Sequence, residues 1–224
     1  TVTRIGENAF LNLKRATEIS IPSSVKIIGN NAFKNSSVQS IDLSNLTDVE
    51  IGNFAFCNNS KLTEVIMPQS VKRVGYRAFT NTAVTDIDLS NLNSDAFDEG
   101  IFLNCTALTN VKIGENFTDI PNEFFDSTNI SEFDFSNIKS VGHRAFRNTK
   151  LTMVTFGKNL EKIGAGAFTN CLSLKDMYVN SDATLFYASI NSPNNSAGFD
   201  LNGNKIEGFT IHTYPEYNAF GYAI

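Results

Sequence analysis

A phenylalanine recurs at a nearly constant spacing along the chain, and this period constrains the fold more than any other feature. Five of the seven spacings are 23 residues, and the other two are 21 and 22. One unit of that length cannot bury its own apolar face, whereas stacked units share a continuous core. The period therefore predicts a solenoid of about eight turns with a buried column of rings. The recurring residues are Phe10, Phe33, Phe56, Phe79, Phe102, Phe125, Phe146 and Phe168.

Two further columns run in register with the phenylalanines. A β-branched or aromatic residue lies five positions before each one, and glycine follows it in six of the eight units, as in Ile28-Gly29. We expect this glycine at a turn where a neighbouring backbone approaches closely. Asparagine lies two positions after the phenylalanine in seven units, with Ser127 the exception. We interpret this column as a ladder in which each side-chain amide bonds the backbone of a neighbouring turn; a ligand-binding row of amides is the alternative.

Each unit also contains a phrase with the apolar spacing L-x-x-L-x-L, as in Leu62, Val65 and Met67. The alternation at its end is typical of a strand with one buried face. The units alternate in two forms, so that the higher-order period is 46 residues over most of the chain. Duplication of a two-repeat unit is the plainest origin of this alternation, and a functional reason is the other interpretation.

The phrases "IPSSVKIIGNNAFKN" and "MPQSVKRVGYRAFTN" resemble the leucine-rich repeats of BspA-like surface proteins, and the resemblance covers residues 1–179. We accordingly expect an α/β repeat solenoid: a right-handed leucine-rich-repeat coil with a parallel sheet on its concave face. The resemblance also implies export to the cell surface and adhesion to host matrix proteins or other cells. It places no binding residues. The phrases "DAFDEGIF" and "DIPNEFF" depart from the repeat core and predict locally irregular middle units.

The period stops after residue 179, and we expect residues 180–224 to form a C-terminal cap, because the end of a solenoid exposes its core. The phrase "FDLNGNKIEGFTIH" predicts a hairpin with Asn202-Gly203 at its turn, and "EYNAFGYAI" a short closing helix. "DLNGNKIE" also resembles a calcium loop, but Lys205 stands where that loop needs glycine and Ile211 where it needs glutamate, which favours the hairpin. At the other end the chain begins inside a repeat phrase, so we expect its natural N-terminus and any export signal to lie upstream.

Composition and motifs exclude several classes of function. The net charge of −5 and the pI near 5.1 argue against a nucleic-acid binder, and no apolar run reaches the roughly 18 residues that span a bilayer. Cys57, Cys105 and Cys171 are too scattered for a zinc site, and Cys105 and Cys171 belong to turns about 14 Å apart, beyond disulfide reach. We expect buried free thiols, no cofactor, no metal and no enzyme. Seven Asn-x-Ser/Thr sequons are present, but three lie on the asparagine column, where we expect a glycan to break the fold.

The outward residues of the predicted strands give the only indication of function. They comprise two positions in each of eight strands, and eight of the sixteen are acidic while one is basic, against 23 acidic residues in the whole chain of 224. We expect Glu64 and Asp86 to be direct neighbours. A solvated face that resists aggregation and a docking surface both fit this pattern. The candidate partner-binding face consists of Asp42, Glu64, Ile66, Asp86, Asp88, Lys112, Glu132, Asp134, Met153 and Tyr178.

Two functions therefore stay open at this stage. The first is a non-catalytic, secreted or cell-surface module that binds protein, such as a host matrix protein or a surface protein of another cell. The second is a structural spacer that presents another module and has no ligand of its own. An exposed apolar patch on the sheet would favour the first.

Overall fold

The computed structural model describes residues 1–181, the backbone of residues 185–186, and residues 197–213. The chain forms a parallel β-solenoid of about eight turns. Each turn contributes short strands to two rows, which we name after their sequence phrases. The leucine row contains the strands of the L-x-x-L-x-L phrase, and the isoleucine row contains the strands that end at the β-branched residue before the glycine.

Within the described residues, the leucine row consists of eight parallel strands in three sheets, ordered β2-β4-β6, β8-β9 and β12-β14-β16. Their inward residues, such as Ile41, Val65 and Ile87, are buried in one continuous core. The strands are β2 (Glu18–Ser20), β4 (Ser40–Asp42), β6 (Glu64–Ile66), β8 (Asp86–Leu89), β9 (Asn110–Ile113), β12 (Met153–Thr155), β14 (Asp176–Val179) and β16 (Thr210–Thr213).

The isoleucine row was not predicted as a sheet, yet it consists of two four-stranded parallel sheets, ordered β1-β3-β5-β7 and β10-β11-β13-β15. A single bridge from Val74 to Phe97 extends the first sheet. The strands are β1 (Arg4–Ile5), β3 (Ile27–Ile28), β5 (Val49–Ile51), β7 (Val71–Val74), β10 (Asp119–Ile120), β11 (Ser140–Val141), β13 (Lys162–Ile163) and β15 (Leu185–Phe186).

The α/β class predicted from the resemblance is wrong. Within the described residues one 3₁₀ turn, Ser94–Ala96, is the whole helical content. Successive β-turns occupy the segment of each unit where a helix was expected, for example the bonds from Ala9 N to Gly6 O and from Leu11 N to Asn8 O. The handedness of the coil and the concavity of its sheet stay predictions.

One unit contributes no strand to the leucine row: residues 132–134 form no ladder in the structure as described. This unit is one of the middle units that were expected to be irregular. It is only 21 residues long, and the ring of Phe133 packs 4.8 Å from Phe135 and 5.0 Å from Phe146. We attribute the missing strand to this shortened, ring-filled unit, which replaces the regular alternation with a cluster of phenylalanines.

The predicted column of rings is confirmed. Consecutive members from Phe10 to Phe102 lie with ring centroids 5.0–5.8 Å apart and nearly parallel planes. All members except Phe10 are completely buried, and Phe10 is 41% exposed because it lies in the first turn. A ring between two others loses its whole surface to the core, which makes this column a main source of stability.

The asparagine column exists, but the physical reason predicted for it is wrong. Every member, including Ser127, has a left-handed backbone with φ between 56° and 62°, a region that asparagine tolerates better than most residues. The backbone N–H groups bond backbone carbonyls of the next turn, as from Asn81 to Leu103 at 3.0 Å. The side chains bond one another, as from Asn81 Nδ2 to Asn58 Oδ1 at 2.7 Å. Asn58, Asn81 and Asn104 are exposed, so the column is a surface feature.

The side-chain-to-backbone bonds that we expected on this column occur just after the isoleucine row instead. Asn30 Oδ1 accepts a bond from the backbone N–H of Asn53, and Asn53 Oδ1 accepts one from Tyr76. Asn122 Oδ1 does the same for His143 at 2.7 Å. These asparagines therefore hold one turn against the next where the strands end.

Replacement of Asn81 separates the two explanations of the column. Asn81→Ala should lower the free energy of unfolding by about 1 kcal/mol, since alanine lacks the short polar side chain that lets asparagine tolerate the left-handed region, whereas Asn81→Gly should cost much less. Chemical denaturation measures both, with Asn93→Ala as the control because φ of Asn93 is −94°. If glycine costs as much as alanine, the amide ladder and not the backbone is what stabilises the turn.

The glycines after the isoleucine row lie against the preceding turn, as predicted. A Cβ added at Gly29 would meet Glu7 N at 2.7 Å, and one at Gly164 would meet His143 N at 2.6 Å. At these positions the preceding turn therefore leaves no room for a Cβ.

The three cysteines are buried free thiols, as predicted. Burial raises the pKa of Cys105 and of Cys171 to about 11. Each thiol donates to a carbonyl of the previous turn, Phe79 O at 3.2 Å and Phe146 O at 3.1 Å. They pack as small core residues and are poor nucleophiles.

Beyond residue 181 the described part of the chain adds one more strand to the leucine row. Strand β16 pairs in parallel with β14, joining Met177 to Ile211. A single antiparallel bridge, Phe199 to Lys205, closes the turn that contains Asn202-Gly203. The closing helix predicted over residues 216–224 lies outside the described residues, and the assignment of residues 180–224 as a cap stays a prediction.

Candidate functional site

The outward side chains of the leucine row form the candidate partner-binding face. Glu64 lies opposite Ser40, and Asp42 lies opposite Ile66, in the β4–β6 ladder. Asp86 lies opposite Asn110, and Asp88 opposite Lys112, in the β8–β9 ladder. Farther along, Met153 lies opposite Asp176, and Thr155 opposite Tyr178. Glu132 and Asp134 lie in the unit without a strand.

No ladder joins Glu64 to Asp86, although their turns are adjacent and the Thr85 N–H donates to Thr63 O at 3.4 Å. Strands β6 and β8 belong to different sheets, and the ladder partners of Glu64 and Asp86 are the polar residues Ser40 and Asn110. The Asn110 amide donates a hydrogen bond to Asp86 Oδ1 at 2.5 Å. This bond stabilises the negative charge of the Asp86 carboxylate. Sequence spacing gives the order of the turns, but it does not show where the ladder between two turns is interrupted.

Three acids of the face form turns with the residues that directly follow them. Asp42 Oδ1 accepts a bond from the backbone N–H of Ser44 at 2.8 Å, and Asp88 and Asp134 accept the same bond from the serine two positions on. This Asx-turn is a local alternative to ladder bonding. The recurring phrase Asp-x-Ser-Asn, present in "DLSN" and "DFSN", is the sequence signal for it. These carboxylates therefore have a structural role, with one oxygen engaged.

Local hydrogen bonds keep several of these acids ionised. The Thr85 hydroxyl, and then the Asn110 amide, lower the pKa of Asp86. The Ser90 hydroxyl and N–H lower the pKa of Asp88, and those of Ser44 lower the pKa of Asp42. Because a depressed pKa keeps a carboxylate charged as the pH falls, the negative charge of this face persists below the pH at which a free aspartate is half protonated.

Lys112 is the one basic residue among the outward positions named above. Its Nζ lies 3.9 Å from Asp88 Oδ2, and both side chains are largely exposed. An exposed pair at that distance contributes little to stability. Lys112 therefore reduces the negative charge at one end of the face without neutralising it.

A groove of about 760 Å³ opens on this face where the ladder between β6 and β8 is interrupted. The two turns stay together in the core, where the rings of Phe56 and Phe79 lie 5.1 Å apart. Sequence reasoning did not find the groove. Its lining comes from four successive turns and mixes polar and apolar side chains; it includes Glu64, Ile66, Met67, Asp86, Asp88, Leu92 and Lys112.

Tyr178 was expected to be an exposed aromatic residue, but its ring is stacked on His212, with centroids 4.3 Å apart. His212 Nε2 lies 2.8 Å from Asp176 Oδ1, so the three side chains join β14 to β16. Of the three apolar residues predicted on the face, Ile66 and Met153 remain open to solvent, with 43% and 55% of their surface exposed.

The "DLNGNKIE" loop is organised around its own aspartate. Asp200 Oδ1 accepts bonds from the N–H groups of Asn202 and Asn204, and Oδ2 accepts one from the Asn204 amide. Within the described segments no group of three or more His, Cys, Asp or Glu residues is arranged to hold a metal ion. Over the same segments, no helix has the length and apolar character that crossing a membrane requires.

Comparison with known proteins agrees with this geometry. The chain is similar to a leucine-rich repeat protein of Bacteroides ovatus ATCC 8483, with a TM-score of 0.72 and 21% identity over 98% of this chain and 55% of the other. It is also similar to a leucine-rich cell surface protein of Faecalibacterium prausnitzii A2-165, with a TM-score of 0.59 and 25% identity over 85% of this chain and 50% of the other. The chain thus spans about half the length of these two proteins.

No curated protein matches the chain in sequence. The BspA-type leucine-rich repeat region matches in six copies, over residues 1–99 and 93–196. The matched segments include the column of rings, the groove and both rows of strands except β16. The chain belongs to the family of BspA-type leucine-rich repeat proteins.

Proposed function

We propose that this chain is a protein-interaction module displayed outside the cell, which binds basic segments of partner proteins on its leucine-row face. Membership of a leucine-rich repeat family suggests a protein-interaction module. The similarity to a cell surface protein of Faecalibacterium prausnitzii supports the location. Adhesion to host matrix proteins or to other cells is the setting in which such a surface would act.

The observation that carries the proposal is the charge of the face. Glu64, Asp86 and Glu132 are exposed and take no part in the Asx-turns. Of the Asx-turn acids, Asp134 uses one carboxylate oxygen in its turn, and the second oxygen of Asp88 faces the exposed Lys112 at 3.9 Å. A partner with lysines or arginines would meet negative charge over several turns, which are about 4.8 Å apart.

An acidic face of this kind acts mainly by speeding the association of basic partners and by selecting them over other proteins. Individual exposed ion pairs contribute less than about 1 kcal/mol, so affinity must come from several pairs together. Complementary charge raises the association rate, and salt screens it over about 10 Å at 0.1 M ionic strength. Binding should therefore weaken as salt rises, while the fold, which is held by its apolar core, should not.

Neutralisation of the acids tests the proposal. The triple variant Glu64→Gln, Asp86→Asn and Asp88→Asn should lose most of its binding to immobilised basic matrix proteins at low and physiological salt. Its melting temperature should be unchanged or slightly higher, because the amide oxygen that replaces the Asp88 carboxylate can still accept the Ser90 bond and like-charge repulsion is relieved. Surface plasmon resonance measures the first effect and calorimetry the second.

A structural spacer is the second candidate, and the Asx-turns favour it, because they explain three of the acids without a ligand. The experiment with the neutralised triple variant distinguishes the two candidate functions. Equal binding by the intact and neutralised proteins, or none by either, would support the spacer.

A further inference from the structure

The groove between β6 and β8 adds apolar contact surface to the negative charge of the face. Its lining combines apolar side chains with carboxylates, Glu64 on one turn and Asp86 with Asp88 on the next. Ile66, 43% exposed, forms part of its wall. Elsewhere on the row Met153, also exposed, lies on β12, beyond the unit that lacks a strand, and does not line this groove.

The dimensions of the groove fit a short extended chain. Its lining comes from four consecutive turns, from Ser44 in the second to Lys112 in the fifth. Four turns at about 4.8 Å span about 14 Å, which four or five residues of extended chain cover at about 3.3 Å each. In such a chain alternate side chains point to the same side, so three of the five would face the groove.

We propose that this groove binds an extended segment of a partner protein in which two basic side chains flank an aliphatic one at alternate positions. The aliphatic side chain packs on Ile66 and the apolar lining, and the long stems of the basic residues reach Glu64, Asp86 and Asp88 at the rim. This inference rests on the proposed function and restricts it to one site. It assigns no binding role to Glu132 and Asp134.

Lys112 makes the negative charge unequal at the two ends of the groove. Its ammonium group lies beside Asp88 at one end, so a basic side chain there meets less negative charge than one beside Glu64. An acidic segment would meet Glu64, Asp86 and Asp88 together and is therefore disfavoured. The charge around the groove thus selects for a cationic partner and against an anionic one.

Fluorescence anisotropy with labelled synthetic peptides tests the inference. The probe contains KSLSK, and its charge-matched control contains KSSSK. We expect the intact protein to bind the probe about tenfold more tightly than the control. Ile66→Ser should remove that preference, whereas Met153→Ser, a matched change of an exposed apolar residue on the same row, should retain it.

Paired neutral variants locate the charge contribution. Glu64→Gln with Asp86→Asn should weaken probe binding about tenfold or more, and Glu132→Gln with Asp134→Asn should change it less than twofold. Circular dichroism melts confirm that each variant is folded. If the two pairs have equal effects, or if KSSSK binds as well as KSLSK, the groove is not the site, although the proposed docking face stands.

Other outcomes separate this inference from the proposed function. Capture of basic matrix proteins by the intact chain without any binding of the peptides would overturn the groove and leave the docking face. Failure to bind either would overturn both. Sedimentation that shows self-association, lost in the Glu64→Gln, Asp86→Asn variant, would identify a second copy of the chain as the occupant and would also overturn the inference.

Discussion

Replacement of Phe79 by alanine should lower the free energy of unfolding by about 3–5 kcal/mol. The Phe79 ring is completely buried between Phe56 and Phe102, with centroid distances of 5.1 Å and 5.8 Å. Removing it takes away the contacts on both of its faces and leaves a cavity that the flanking turns cannot fill without bending the stack. Urea denaturation, followed by circular dichroism, measures the change.

Phe10→Ala is the matched control at the end of the same column. Its ring stacks on Phe33 at 5.0 Å but is 41% exposed, so its removal should cost clearly less. In a solenoid each turn contacts only its neighbours, so a defect in the middle should also weaken the coupling between the two halves. The Phe79 variant is therefore expected to unfold over a broader range of urea. Equal losses from the two variants would show that burial within the column is not what stabilises it.

The repeat architecture could be predicted from the sequence because its causes are local and periodic. The spacing of Phe33, Phe56 and Phe79 sets the length of a turn, and the alternation around Val65 sets which residues face the core. The glycine column follows equally directly, since only a residue without a Cβ allows a neighbouring turn to lie so close. Each of these features repeats eight or nearly eight times, which makes its pattern visible.

The features that sequence reasoning missed depend on relations between turns. Nothing in the phrase around Glu64 shows that β6 and β8 do not pair, because an interruption of the ladder is a property of two units together. His212, which stacks on Tyr178, lies in the segment where the period has stopped. The asparagine column was found, but it was attributed to bonds from the side-chain amides to the backbone. A left-handed φ and side-chain hydrogen bonding both favour asparagine, so the sequence alone does not distinguish them.

The Asx-turns were not predicted, although the sequence contains a signal for them. The phrase Asp-x-Ser-Asn recurs at Asp42, Asp88 and Asp134, a spacing of 46 residues, and could have been recognised as a turn signal. This gives a structural reason for the alternation of the two unit types. In one type the strand phrase contains the aspartate of an Asx-turn, and in the other it is followed by proline or glycine, as at Pro22, Pro68 and Gly114. The acidic charge of the face is thus partly a consequence of how its strands end.

Gly52→Ala should be the second strongly destabilising change, with a cost of about 1–3 kcal/mol or more. A Cβ at this position would lie 2.6 Å from Asn30 N and 2.7 Å from the carbonyl carbon of Gly29. Both are backbone atoms, which cannot rotate away as a flexible side chain would. The second and third turns would have to separate, and the β3–β5 ladder, which joins Ile28 to Ile51, would be strained.

Gly6→Ala is the control, because Gly6 occupies the same repeat position in the first turn and has nothing within 4 Å of the added Cβ. Alanine there should be neutral, or should stabilise by a few tenths of a kcal/mol by restricting the unfolded chain. Neither glycine has the left-handed φ at which alanine itself is strained, so the two variants differ in the presence of a preceding turn alone. Calorimetric melts of the two variants measure the difference. If Gly6→Ala destabilises as much as Gly52→Ala, the glycine column reflects a conformational need of each turn and not the close stacking of one turn on the next.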